Sequence, residues 1–280
     1  MRQKLPQAAV SSWRRIAALF GLVVAVGCAS VQTTESGTVG VERKQTMSTL
    51  VSEEDINKGA AQAYTQVLDD ARRKGTLDTN PADAQRVRTI ATRLIPPTGM
   101  FRPDAPGWKW ETHVIASNEV NAWCMPGGKI VVYTALIEKL KLTDDELAAV
   151  MGHEIAHALR EHGRERASSA VNQSIALGVI GAATGAGQGT MDLAQLALEV
   201  TLNLPNSREQ EIEADRIGVE LAARAGYNPH AAVTLWQKME QVSEGGPPAW
   251  LSTHPAREAR QRDLEVYAEK VMPLYAQARR

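Results

Sequence analysis

Apolar residues along this 280-residue chain fall into two periodicities. From position 52 onward most recur every three or four residues, the spacing that lines one helix face. Between about 108 and 133 they alternate with polar residues, as in half-buried strands. Ser52-Glu-Glu-Asp opens a helix running to about Lys74, and Asn80-Pro81-Ala-Asp83 caps a second that ends before Pro96-Pro97. Trp108 to Ile115, Val120 to Met125 and Lys129 to Tyr133 read as strands, the last two joined around Pro126-Gly127-Gly128. The capping box Thr143-Asp-Asp-Glu146 starts a helix with the apolar stripe Leu147, Val150, Met151, Ile155, Ala158 and Leu159, continuing past His157 to Gly163. Ser207 and Gln210 form a second capping box, and further helices run from about Pro229 to Ser243 and Ala256 to Ala278. The pattern predicts an α+β, mostly helical fold with a small antiparallel sheet directly before the helix that starts at Thr143.

Three stretches depart from it. Residues 1–27 carry Arg2, Lys4, Arg14 and Arg15, no acid, and an apolar run from Ile16 to Val26, which reads as a signal peptide. Val24-Ala-Val-Gly-Cys28 resembles a bacterial lipobox, with Ala25 where Leu is usual. It predicts a lipid on Cys28 and membrane attachment through it. By the sorting rule of such lipoproteins, Ala29 rather than Asp after the cysteine implies a periplasmic protein on the outer membrane. Residues 28–51, rich in Ser, Thr, Gly, Gln and Glu, read as a flexible tether, leaving 52–280 as a single domain. The Ala/Gly-rich run at 175–187 is too short for a membrane span and reads as a mobile lid or hairpin, with membrane contact as the alternative. Removing the signal takes the formal charge from −1 to −5, which argues against a nucleic-acid partner.

The chemistry centres on His153-Glu154-Ile-Ala-His157. Histidines four apart on a helix lie one above the other, so both imidazoles reach a single tetrahedral metal ion. Glu154, about 100° around the helix, flanks that face, where it can take a proton from the attacking water. A metzincin needs Gly at 160 and His at 163; Arg160 and Gly163 exclude that pattern and leave His162 as a surface residue near a helix C-terminus. His113 reads as an ordinary strand histidine. Glu211 and Asp215 fall four apart on one face, where two acids need a cation beside them. Glu209 and Glu213 lie off that face and are expected to be dispensable for the metal.

Taken together, Asn121-Ala-Trp-Cys-Met-Pro-Gly-Gly128, His153-Glu-Ile-Ala-His157, Glu211-x-Glu-Ala-Asp215-x-x-Gly218, Gly226-Tyr-Asn-Pro229 and Ser252-Thr-His254-Pro255 with Arg260 resemble the HtpX and CAAX-prenyl-protease zinc metallopeptidases of the gluzincin clan. The resemblance implies one Zn²⁺ per chain and a compact periplasmic branch of that family. It makes Glu211 the third ligand, Asp215 the acid that orients a ligand histidine, and Asn121 a residue that helps hold the substrate backbone, with Arg260 expected at the substrate as well. Glu154 is then the catalytic base of an endopeptidase acting on unfolded or misassembled envelope proteins, bound as an added strand near 120–125. His254 has two expected roles: occupying the fourth metal position as an inhibitory switch, or donating to the oxyanion of the transition state with Arg260 adding charge. The rival functions are a non-proteolytic chaperone or assembly factor retaining the zinc site, and a structural lipoprotein with a closed zinc site. The oligomeric state is not legible. Cys28→Ser is expected to release the protein into the soluble periplasmic fraction or to block signal processing, which fractionation and an immunoblot check.

Overall fold

The computed structural model describes residues 27–184, 193–242, 248–255 and 259–280, so the expected signal segment lies outside the described residues but for Gly27. Strands β1 (Cys28–Val31) and β2 (Gln45–Ser48) come first. Helices α1 (Glu53–Arg73) and α2 (Pro81–Leu94) follow, capped by the Ser52 and Asn80 side chains as their sequences predict. Strands β3 (Glu111–Ile115), β4 (Ala122–Met125) and β5 (Lys129–Tyr133) lead into α3 (Thr134–Leu140) and α4 (Asp144–Leu159). After α5 (His162–Thr184) and α6 (Leu193–Leu198) comes a π turn over Glu199–Asn203. Helices α7 (Arg208–Arg224), α8 (Ala231–Val242), α9 (Ala249–Thr253) and α10 (Arg260–Ala278) complete the order. The fold is α+β and mostly helical, as expected, and both capping boxes form.

The sheet is mixed rather than wholly antiparallel. β4 and β5 make the expected hairpin, Cys124 opposite Ile130, with Gly127 at φ +78° in the turn after Pro126. β3 instead runs parallel to β5, His113 opposite Val131, in the order β3-β5-β4. Residues 116–121 carry the chain across, and strand alternation alone does not say which neighbour a strand takes. Ala122, Cys124, Ile130 and Val132 join the core that contains α4, while Trp123, Met125 and Val131 pack with α1 residues. β4 is thus an edge strand covered on both faces, lying along α4.

Two expectations fail for local reasons. Residues 28–51 are not a loose tether: β1 and β2 pair antiparallel, and Val39, Val41, Met47 and Val51 are buried. Three polar residues of this segment, Thr34, Gln45 and Ser48, are buried among them. The Gln45 side chain is wholly buried and donates to Arg160 O, and Val39 N donates to Glu220 Oε2 at 2.9 Å. Nor does the metal-face helix continue to Gly163. It ends at Leu159, Glu161 takes φ +50°, and α5 starts afresh at His162. The backbone of 175–184 belongs to α5, while 185–187 of the expected lid lie outside the described residues.

α4 packs along α7 through glycine. A β-carbon on Gly152 would lie 2.9 Å from Gly218 O, and one on Gly218 would lie 2.8 Å from His153 N. Only hydrogen on both α-carbons lets the two backbones meet there.

The hairpin is fastened by Arg43, whose guanidinium holds Glu165 at 2.6 Å. Burial pushes the Glu165 carboxyl up, but hydrogen bonds from Arg43 and Gln210 outweigh it and hold the group below its ordinary 4.5. A depressed carboxyl contributes stability above its unfolded value, and this is lost as pH falls through the folded one. Protease sensitivity of residues 28–51 is therefore expected to rise below pH 4.5, ahead of the loss of helical circular dichroism; Arg43→Ala is expected to show it already at neutral pH.

Candidate metal centre

Three elements converge beneath β4. From α4, His153 Nε2 and His157 Nε2 face each other at 3.0 Å. From α7, Glu211 places Oε1 3.3 Å from His157 Nε2 and Oε2 3.7 Å from His153 Nε2. From the end of α9, His254 brings Nδ1 to 2.9 Å from Glu211 Oε1 and 3.2 Å from His153 Nε2. All four side chains are buried, and their donor atoms lie within 4.8 Å of one another.

These donors fit a metal ion on chemical grounds. The ionised Asp215 carboxylate only accepts hydrogen bonds, so at 3.1 Å it fixes the His153 proton on Nδ1 and leaves the Nε2 lone pair pointing into the cluster. Lone pairs and a carboxylate converging in a buried space repel unless a cation sits among them, and nitrogen donors with one oxygen suit zinc. His153, His157 and Glu211 would hold it. With His254 the set has four protein donors; without it one position opens.

Arg260, expected at the substrate, turns its guanidinium to the carboxylates of the site. Its buried guanidinium donates to Glu211 Oε2 at 2.8 Å and Asp215 Oδ1 at 2.6 Å, and it lies 3.4 Å over the Trp236 ring. Burial pushes the Glu211 carboxyl up, but the surrounding His254, His157 and His153 hold it well below the carboxylate range. Asp215 is likewise low, with burial outweighed by Arg260 and His153. Burial drives His157 and His162 well below the imidazole range, whereas the Glu154 and Glu211 carboxylates raise His254 against burial.

Glu154 flanks the donors as the helix geometry predicts. Its Oε1 accepts from Trp250 Nε1 at 2.7 Å and stands 3.4 Å from His254 Nε2. Trp250 carries no metal-site signature, and its position four residues before His254 on a short helix is the signal that links them. The Trp250 backbone N–H also donates to Val120 O at 3.1 Å, just ahead of β4. Asn206 Nδ2 donates to Thr253 O at 3.0 Å and lies 3.3 Å from His254 Nδ1. Asn121 precedes β4, with its side chain on Glu119 and on Ala122 N. His162 is no surface residue: it is fully buried, its Nδ1 2.7 Å from His157 Nδ1. His113 Nδ1 lies 2.6 Å from Asp78 Oδ2, away from the centre.

Glu211→Gln is expected to lose zinc by orders of magnitude in affinity, whereas Glu209→Gln, at an exposed position, retains it. Zinc content of the purified variants checks this.

Comparison with known proteins agrees with the site. The profile of Peptidase family M48 matches residues 81–268. Mitochondrial metalloendopeptidase OMA1 of Schizosaccharomyces pombe is 34% identical over 219 residues, covering 76% of this chain and 61% of that protein. Human OMA1 is 38% identical over 176 residues, covering 55% and 32% respectively. The beta-barrel assembly-enhancing protease of Escherichia coli is 27% identical over 216 residues, covering 74% and 43%. The chain thus spans from about a third to three fifths of the length of these relatives. These comparisons support the resemblance at the level of the family and not specifically for its HtpX and CAAX-prenyl-protease branch. By a match across most of its length and a donor set suited to zinc, the chain belongs to peptidase family M48, a family of zinc metallopeptidases.

Proposed function

We propose that the chain is a zinc-dependent metalloendopeptidase of the bacterial cell envelope that cleaves unfolded or misassembled envelope proteins. The observation that carries this reading is the Glu154 carboxylate, placed beside the donor cluster and accepting a hydrogen bond from an indole N–H. His153, His157 and Glu211 would hold zinc, which would supply the Lewis acidity that peptide hydrolysis by water needs. Glu154 takes the proton at a carboxylate oxygen and returns it to the leaving amine. Asp215 keeps the His153 ring in its donor orientation, and Arg260 holds Glu211 and Asp215 in register. The free side of β4 suits an extended peptide added as a strand, with Asn121 at its entrance.

His254 fits the inhibitory role better than the oxyanion role, because its Nδ1 already stands among the donors and its Nε2 faces Glu154. On this reading the arrangement is a closed state, with Trp250 on the base and His254 standing where it would be a fourth protein donor.

The same four donors favour one rival, a structural zinc site. The presence of Glu154 beside them speaks against both that and a non-proteolytic chaperone. An exposed Cys28 at the head of β1 supports a lipid anchor, and the Val24–Cys28 segment with Ala29 supports the periplasmic face of the outer membrane. Among the described residues no helix is long and apolar enough to cross a membrane.

Zinc content and casein cleavage, measured together, test the proposal. Wild type is expected to hold one zinc and cleave; Glu154→Gln is expected to keep the zinc and lose about 10²–10⁴-fold in rate. His254→Ala is expected to raise basal cleavage. A fall of roughly 10²-fold with zinc retained would instead identify an oxyanion donor.

A further inference from the structure

We infer that His162 and Glu213 are positioning residues for His157, forming a carboxylate–imidazole–imidazole relay that the N-terminal hairpin locks through Arg43. The inference rests on the reading of His153, His157 and Glu211 as metal ligands.

Asp215 orients His153 directly, but nothing on α7 does the same for His157. Glu213 is two residues before Asp215, about 200° around the helix, so it cannot share that face. The left-handed turn at Glu161 resolves this by folding the chain back after α4, so that the first residue of α5 stands behind His157. His162 Nδ1 lies 2.7 Å from His157 Nδ1, and His162 Nε2 lies 3.0 Å from Glu213 Oε2.

The protons along this line are determined by its end. Glu213 is gripped by two guanidiniums, Arg160 Nε at 2.9 Å and Arg43 Nε at 2.5 Å, and presents only acceptors. His162 Nε2 must therefore carry a proton and donate it to Glu213. A neutral His162 then has a lone pair on Nδ1, so the proton in the bond to His157 belongs to His157 Nδ1. That leaves the His157 Nε2 lone pair free and aimed at the other donors. Reversing any one proton would put an N–H where the metal binds.

The hairpin closes the far end. Arg43 bridges Glu213 and Glu165, Arg160 donates to Arg43 O at 2.8 Å and to Thr34 Oγ1 at 3.1 Å, and Gln45 donates to Arg160 O. Residues 34–45 thus supply one of the arginines on Glu213 and hold the other, Arg160. This revises the expectation that Glu213 is dispensable: it is off the metal face, yet it reaches the metal ligand through His162.

Removing such an outer partner typically costs 10–100-fold in metal affinity. Competition with a chelator is expected to show that loss for His162→Phe, which keeps the ring volume, and a comparable or smaller loss for Glu213→Gln and Arg43→Met. His162→Asn, which restores an acceptor near the Nδ1 position, is expected to recover part of it. The second readout needs no metal: ¹⁵N-edited NMR of the apoprotein is expected to show His157 as the Nδ1–H tautomer in wild type and as a mixture in His162→Phe. Should that variant fail to fold, Glu213→Gln carries the same two measurements. Unchanged zinc affinity in a folded variant, or a wild-type His157 protonated on Nε2, overturns the relay. Wild-type zinc affinity in Glu211→Gln would strike the ligand assignment instead, and the apoprotein tautomer would still decide the relay.

Discussion

The metal centre depends on two helices being allowed to touch. At the α4–α7 crossing, Gly152 and Gly218 bring backbone to backbone directly beside His153. Helix axes separated by ordinary side chains stand about 8–10 Å apart. Here the missing β-carbons let short carboxylate side chains on α7 reach imidazoles on α4. A methyl group at 218 would have to displace His153 N, and with it the registry between both histidines and both Glu211 and Asp215. The spacing of glycine and acid along Glu211-x-Glu-Ala-Asp215-x-x-Gly218 is therefore one constraint, since Gly218 sets the distance over which the acids act.

Bringing Glu211, Glu213 and Asp215 out of water together with several imidazoles is costly unless each charge is matched. The matching is divided by face. Arg260, stacked on Trp236, serves Glu211 and Asp215, while Arg43 and Arg160 serve Glu213 on the opposite side of α7. Removing one partner of such a buried pair typically costs about 3–5 kcal/mol, since the other charge is left without compensation. Structural stability and metal-site geometry therefore use the same residues, and a variant of Arg43 or Arg260 is expected to affect both.

What the sequence made legible follows from what helix periodicity carries. His153, Glu154, His157, Glu211 and Asp215 were readable because each pair is related by turns of one helix, where spacing determines direction. His162 was not, because its placement hangs on one left-handed residue, Glu161, of a type that does not announce that conformation. The contact of Arg260 with the acids was not legible because its distance from them in sequence hides that α10 lies along α7. The hairpin was missed for a compositional reason: Gln45, Arg43 and Thr34 look like solvated residues until their partners at Arg160, on α5 and on α7 are known. The parallel pairing of β3 was hidden because a strand's alternation gives its faces and not its neighbours.

On the proposed reading, the four donors are unequal in a way that bears on catalysis. His153, His157 and Glu211 stand on helices of 16 and 17 residues that are packed into the core, while His254 caps the end of a helix of five. That short helix is held by Trp250 against Trp236, by Asn206 on Thr253, and by the Trp250 N–H on Val120 O. Each hydrogen bond contributes about 1 kcal/mol net, and burying a large apolar side chain about 1.5–3 kcal/mol. A peptide pairing along β4 makes several main-chain bonds, so it can match that total. It would also compete for the Val120 carbonyl that Trp250 occupies. Substrate binding and removal of His254 are then one exchange at one strand edge: the segment that leaves uncovers Glu154 and opens the fourth position together, so the base is released when a peptide is present to be cut.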